Sequence, residues 1–324
     1  MSHVAMPPAE VHIDESLVRA LLRGQHPDLA KLPIGSTHEG WDNVTIRIGD
    51  KLAVRLPRRR LGAALSATEL DWIPTVGAAW TFPTPRALRV GEPNERYPWR
   101  WSVVPWLEGS PAYEAPLNAD GARDLGAALA QVHQPAPADA PINPFRSRPL
   151  ADRAERLDLR LEALEVEHGD KVRAEVARGL FQAGARQPTG PITWTHLDIH
   201  GSNILTLNGR LSGLLDWGDS AAGDPAADLG QALVLVGREN FKELTRAYAE
   251  AGGAAATDGS LSESASKRIE AEAVAYAALL AGVGEGESDH AAAGWAALVE
   301  LGVIDPTATR PSQLTTTRTD PSRR

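Results

Sequence analysis

The chain has no cysteine among its 324 residues. Disulfide bonds, thiolate nucleophiles and Cys-ligated zinc are therefore excluded, and the composition suits a reducing, cytoplasmic setting. No apolar run approaches the roughly 18–20 residues that a membrane span needs. The opening MSHVAMPPAEVHIDES lacks both the basic stretch and the apolar core of a signal peptide, so none is expected. Positive charge is also short: 33 Lys+Arg against 42 Asp+Glu give a net charge of −9, which argues against general nucleic-acid binding. What remains is ordinary for a folded protein. Hydrophobic residues at 43% and charged residues at 23% exclude intrinsic disorder, and 324 residues suffice for one large domain or two ordinary ones.

The acidity is unevenly placed. Residues 1–109 carry 13 basic and 12 acidic side chains (net +1), residues 110–306 carry 16 and 29 (net −13), and residues 307–324 carry 4 and 1 (net +3). The pattern of apolar residues divides the chain at the same place. DESLVRALLRG (14–24) reads as an amphipathic helix. NVTIRI (43–48) and KLAVRL (51–56) read as strands joined at Gly49-Asp50, a hairpin signal. A helix over 61–73 should end before Pro74, and WSVVPW (101–106) reads as a strand that runs into Leu107-Glu108-Gly109. Beyond it the period turns helical. Helices are expected at 119–133, 150–182, 225–237, 239–251, 265–282 and 289–301, with a Pro-rich connector at 134–149. Short strands at 192–196, 203–207 and 211–215 interrupt them, the last two joined by Asn208-Gly209. The polar stretch 307–324 is expected to be disordered. These readings imply an α+β chain with a small β-rich N-lobe (1–104), a hinge (105–110) and a larger helical C-lobe (111–306).

One stretch carries recognisable chemistry. HLDIHGSN (196–203) is followed by LDWGD (215–219), in which Asp216 lies thirteen residues after Asn203, and the strand over 211–215 pairs back on 203–207. That hairpin brings Asn203 near Asp216. An amide oxygen beside a carboxylate suits Mg²⁺, a hard cation that shares its ligand shell with phosphate. Asp198 stays nearby to accept a proton.

H-x-D-x-x-x-x-N followed by a strand ending in Asp resembles the aminoglycoside phosphotransferase family, small-molecule kinases of the kinase-like superfamily. LLDWGDSAAGDPAADL (214–229) resembles that family's Asp-centred metal segment and the run behind it. EGWDNVTIRIGDKLAVRLPRR, VVPWLEG and ALAQVH extend the likeness over most of residues 15–235. The resemblance implies a bilobal, protein-kinase-like fold and transfer of a phosphoryl group from ATP or GTP, with Mg²⁺, to a small-molecule hydroxyl. On it, Asp198 is the catalytic Asp, and Asn203 and Asp216 hold the metal. Arg55 meets the phosphates in place of the usual Lys, with Glu69 as its ion-pair partner. The 39–43 loop, with Gly40, covers the phosphates, and the backbone of Val104, Pro105 and Trp106 meets the base.

Three departures stand out. Gly40 is the one glycine in the phosphate loop, Arg55 replaces a point charge by a planar fork, and His-Leu-Asp replaces the commoner His-Gly-Asp. Asp-Phe-Gly and Ala-Pro-Glu signatures are missing, which argues against a protein substrate.

Other readings compete residue by residue. His196, Asp198 and His200 alternate as metal ligands of a hydrolase might, but that leaves Asn203 and Asp216 unexplained. Arg58, Arg59 and Arg60 read as a solvated charge run, Asp224 as a helix cap, and Asp228 as a brace for the catalytic loop. Asp219 is open to metal, substrate or neither. For the acceptor, the acidic C-lobe suits a cationic aminoglycoside. A macrolide or a sugar-like metabolite stays open, as does a nucleotide-binding regulator without catalysis, which the glycine-poor loop would suit.

Overall fold

The computed structural model describes residues 6–282 and 288–308. Its first helix, α1 (Glu15–Gln25), starts where the Asp14 side chain accepts the Leu17 N–H at 2.8 Å. It buries Val18, Leu21 and Leu22. An antiparallel five-stranded sheet follows, built from β1 (Ile34–Glu39), β2 (Asn43–Ile48), β3 (Leu52–Pro57), β4 (Arg89–Gly91) and β5 (Trp101–Pro105). The strand order is β1-β2-β3-β5-β4. Strand side chains alternate between faces. Val44, Ile46, Ile48, Val54 and Leu56 join α1 in one apolar cluster. The opposite face carries Arg55, registered against Ser102, and Ala53, registered against Val104. β1 has no such apolar alternation (IGSTHE, mostly exposed), so its sequence does not announce a strand.

α2 (Arg60–Val76) lies beside the sheet. It runs through Pro74 rather than stopping before it, because the proline sits in the last turn, where losing one hydrogen bond is tolerated.

The remainder is mainly helical. β6 (Ser110–Pro111), β8 (Ile204–Leu207) and β9 (Arg210–Leu214) form one small sheet. β7 (Thr193–Thr195) and β10 (Ala221–Gly223) form another, and β11 (Ala256–Thr257) with β12 (Ser260–Leu261) a third. The β8–β9 turn places Asn208 and Gly209 at φ +54° and +76°, the primed-turn geometry that Asn-Gly favours.

The helices are α3 (Ala119–Val132), α4 (Ala154–His168), α5 (Ala174–Ala185), α6 (Ala226–Glu250), α7 (Glu263–Ala281) and α8 (Ser288–Glu300). α3 packs on α6, and α7 packs on α5, α6 and α8. The α3–α6 approach is close: a Cβ on Gly126 would lie 2.1 Å from the Leu244 carbonyl oxygen. The single helix expected over 150–182 is broken at Gly169 (φ +58°), which caps α4. The two helices expected at 225–237 and 239–251 are both present: they abut at Gly237, whose non-helical φ 73° and ψ 165° divide α6 where the sequence suggests. From residue 309 on, the expected disordered tail lies outside the described residues.

Candidate active site

The 196–203 loop is built on a buried carboxylate. Asp228, in the first turn of α6, accepts the N–H groups of His196 and Leu197, each at 2.7 Å. It also accepts His133 Nε2 at 3.0 Å, and the His133 ring meets the Tyr248 hydroxyl at 2.9 Å. Burial works to raise the Asp228 pKa, but the His133 hydrogen bond and the surrounding N–H donors outweigh it and hold the carboxyl below its ordinary range.

Gln231, one turn further on, accepts Ile199 N–H at 2.7 Å and donates to the Leu197 carbonyl at 2.9 Å. These contacts hold Leu197 at φ +66°, a conformation that costs a non-glycine residue about 1–3 kcal/mol. Asp228 is the brace the sequence suggests, and His133 and Gln231 complete the clamp.

His196 is fully buried, and burial lowers its pKa. Its Nε2 meets the Leu215 carbonyl at 2.8 Å, and its Nδ1 accepts the Asp198 N–H at 3.3 Å. Both ring nitrogens are engaged, so His196 is no metal ligand. Among the described residues no group of three or more His, Cys, Asp or Glu is placed to hold a metal ion.

Asp198 and Asn203 are brought together. Asn203 Nδ2 donates to the Asp198 carbonyl at 3.0 Å and to its Oδ2 at 3.2 Å. His200 Nε2 lies 3.4 Å from the same carboxylate. Leu215 N–H donates to the Asn203 carbonyl at 2.8 Å, which sets Asp216 next to Asn203. Asp216 itself is left-handed (φ +59°). Its neighbours are firmly anchored: the Trp217 indole stacks on Trp80 at 4.4 Å and donates to Thr84 Oγ1 at 2.6 Å. That stack gives two of the nine tryptophans a structural task.

The fit to a hard divalent cation is good. The Asp216 side chain keeps 43% exposure, and Asn203 Oδ1 accepts no hydrogen bond among the described residues.

Arg55 bridges the two halves of the site. Its Nη1 donates to both Glu69 oxygens at 2.8 and 2.6 Å, and its Nη2 donates to Asp216 Oδ1 at 2.7 Å. Burial opposes its charge, but Glu69 and Asp216 outweigh that and raise its pKa.

The 39–43 loop is braced by side chains. Arg58 is buried, donating to the Gly40 carbonyl at 3.1 Å, while its own N–H reaches the Asp42 carbonyl at 2.8 Å. Arg59 Nε donates to Asp42 Oδ1 at 2.8 Å, and Ser66 donates to Asn43 at 3.1 Å. Arg58 and Arg59 are thus not a solvated run; the loop's carbonyls and carboxylate draw them inward. Gly40 N–H is spent on the Asn43 carbonyl at 2.8 Å, so it serves the turn and is not free for a phosphate.

At the hinge Pro105 has no N–H, and Trp106 N–H donates to the Lys51 carbonyl at 2.8 Å. Neither supplies a backbone donor to a base. The Trp106 ring packs against Arg47, at 4.9 Å, and His38.

Several residues around Asp198 carried no sequence signal. Arg146, from the Pro-rich connector, pairs with Asp198 Oδ1 and donates to the Leu197 carbonyl, with Asp219 at 3.8 Å. Burial alone would raise the Asp198 pKa; Arg146 and His200 overcome it and hold the carboxylate far below its ordinary range. Asp219 moves the other way, raised by burial despite Arg146, with Asp198 adding to the rise.

Tyr276 of α7 is buried beside this group. His290 of α8 meets Tyr113 at 4.9 Å and His200 at 4.7 Å. A cavity of about 360 Å³ opens at Tyr113, walled by Val234, Leu235, Ala292 and Ala296, with Asp289 at its edge. Asn143-Pro144 is a turn signal that marks a bend before Arg146, but nothing in the sequence says what the bend faces.

Residues 36–263 match the sequence model of the phosphotransferase enzyme family. No curated protein matches the sequence significantly. Among solved structures, the GDP complex of wild-type aminoglycoside 2'-phosphotransferase-IIIa is similar, with a TM-score of 0.62 and 16% identity over 89% of this chain and 98% of that one. Macrolide 2'-phosphotransferase MphH from Brachybacterium faecium has a TM-score of 0.54 and 22% identity, over 92% of this chain and all of that one (100%). The gentamicin complex of APH(2")-IIa has a TM-score of 0.56 and 18% identity, over 90% and 96%. At these identities the likeness establishes the fold.

Proposed function

The chain belongs to the phosphotransferase enzyme family, and on that premise we propose that it moves the γ-phosphoryl group of ATP or GTP to a hydroxyl of a small molecule. The observation that carries this reading is the meeting of Asp198, Asn203 and Asp216 across one hairpin, with Arg55 reaching Asp216 from the sheet. Asp198 orients the acceptor hydroxyl and takes its proton. Asn203 and Asp216 would hold Mg²⁺, which would supply charge neutralisation at the phosphates. Arg55, kept in position by Glu69, binds phosphate oxygens. The sheet face bearing Ala53 and Val104 receives the base through apolar contacts.

Such a site works by positioning and by stabilising charge. A regulator without catalysis has no use for three converging metal and acceptor ligands, and the family consists of phosphotransferases. The structural neighbours named above include aminoglycoside and macrolide kinases. A C-terminal part carrying −13 favours a cationic aminoglycoside as acceptor, with antibiotic resistance as the outcome. The apolar walls of the cavity beside Tyr113 favour a second reading, a macrolide whose hydrophobic ring fills it.

The test is an acceptor panel of aminoglycosides, macrolides and neutral sugars, run with Mg²⁺ and each nucleotide, products read by mass spectrometry. A phosphorylated aminoglycoside whose formation falls steeply with salt supports the first reading, and a salt-insensitive macrolide product the second. Nucleotide binding without product or hydrolysis overturns both.

A further inference from the structure

The connector between α3 and α4 brings a cation to the catalytic carboxylate. Arg146 Nη1 pairs with Asp198 Oδ1 and donates to the Leu197 carbonyl. Its Nε and Nη2 make no hydrogen bond among the described residues, and the side chain is 33% exposed. A guanidinium has five N–H donors in a planar fork, so most of its donor capacity is unused.

The side chain is also held in advance. Asn143 Oδ1 accepts the N–H groups of Phe145 and Arg146, each at 3.0 Å, and Asn143 Nδ2 donates to Asp219 Oδ1 at 2.7 Å. The turn carrying Arg146 is thereby tied to the segment that carries Asp216.

The charge at this place calls for a cation. Asp198, Asp216 and Asp219 lie close enough that the first two help to raise the Asp219 pKa. A nucleotide phosphate adds more negative charge, while Arg55 is already neutralised by Glu69 and Asp216.

We propose that Arg146 is a catalytic cation of the phosphoryl transfer, fixing Asp198 with one nitrogen and binding the oxygens of the moving phosphoryl group with the others. This rests on the phosphotransfer reading above. The acceptor oxygen forms a bond to the γ-phosphorus as the bond from that phosphorus to its bridging oxygen breaks. The electron pair leaves with the nucleoside diphosphate, and the hydroxyl proton passes to Asp198 and on to water. Negative charge spreads over the three equatorial oxygens, beside the carboxylate that holds the acceptor and within reach of the free Arg146 donors. A donor already in place for that charge needs no reorganisation during the step.

Arg146→Ala and Arg146→Lys are compared with wild type, taking water as acceptor so that no antibiotic need be known. Phosphate release from ATP and GTP with Mg²⁺ is measured without and with guanidinium chloride at up to about 50 mM, well below denaturing levels. Binding of ADP and GDP is measured by calorimetry with and without aluminium fluoride, a mimic of the phosphoryl group in flight.

The expected result for Arg146→Ala is a kcat lower by about a hundredfold with nucleotide KM and diphosphate affinity little changed. Guanidinium should restore part of kcat, Arg146→Lys should fall between, and the tightening by aluminium fluoride should disappear. A free guanidinium ion replaces a charge but cannot tether the connector, so rescue separates catalysis from architecture. Wild-type turnover with unchanged Arg146→Ala kinetics overturns this inference alone, as does a loss that guanidinium leaves untouched while the fluoride effect persists. Wild-type protein that turns over neither nucleotide, alone or with the acceptor panel, overturns the phosphotransfer reading and this inference with it.

Discussion

Two arginine–carboxylate clusters meet around the 196–203 loop, Arg55–Glu69–Asp216 from the sheet side and Arg146–Asp198–Asp219 from the helical side. In the first, Arg55 and Glu69 are 11% and 9% exposed, and Arg55 Nη1 donates to both Glu69 oxygens. In the second, Arg146 is 33% exposed and leaves two of its nitrogens without partners among the described residues. Each sets one arginine against two carboxylates, yet their surroundings differ. Desolvated charges must be paired, so the first cluster joins β3, α2 and the Asp216 segment and holds Arg55 in one place beside the proposed phosphate site. The second keeps water-facing donors and is free to exchange solvent for substrate.

The sharpest way to break that contrast is to unpair the buried cluster. Glu69→Ala leaves Arg55 buried with Asp216 alone, and an unfolding free energy lower by about 3–5 kcal/mol is expected from denaturant titration. Arg146→Ala should cost only about 1 kcal/mol by the same measurement, since its pair is partly solvated. Equal losses would erase the distinction between the buried cluster and the partly solvated one.

A subtler probe lies beside the second cluster. His290 is pushed down to about 4 by burial first and by His200 next, against an ordinary 6.5. Between those values the unfolded chain binds a proton that the folded protein does not, so stability falls as pH drops from about 6.5 towards 4. His290→Gln should remove about 1–2 kcal/mol of the fall between pH 7 and 5. An unchanged slope in the variant rejects a neutral, desolvated His290.

The smallest effect is expected far from both clusters. Arg210 forks onto Asp124 at 2.6 Å but is 55% exposed. Arg210→Ala should cost under about 1 kcal/mol, less still in high salt. A loss matching that of Glu69→Ala would mean that burial does not decide the worth of these pairs.

The contrast also separates what the sequence reveals from what it does not. The meeting of Asp198 with Asn203 and the approach of Asp216 are legible because hairpin pairing brings these positions together, and the Arg55–Glu69 pair is legible through the resemblance to the family. Arg146 is not legible: a Pro-rich connector has no period, and its target lies 52 residues away. His290 and Tyr276 sit on Ala-rich helices whose period marks a core but not which residue faces the 196–203 loop. β1 hides because an exposed edge strand needs no apolar alternation. Arg58 hides because three consecutive arginines look solvated until the 39–43 carbonyls are seen. The tryptophans make sense only in three dimensions, where Trp80 and Trp217 bring residues 80–84 against the Asp216 segment.

The central claim is that Asp198 receives the acceptor while nucleotide is held by other groups. It is tested most directly by following the labelled γ-phosphoryl group of ATP and GTP onto acceptors, in wild type and in Asp198→Ala, with nucleotide affinity measured in parallel. The expected result is label on an acceptor with wild type, a drop of about 10²–10⁴-fold in the variant, and nucleotide affinities within a few-fold of each other. Asp198→Ala protein that transfers label at the wild-type rate would contradict it.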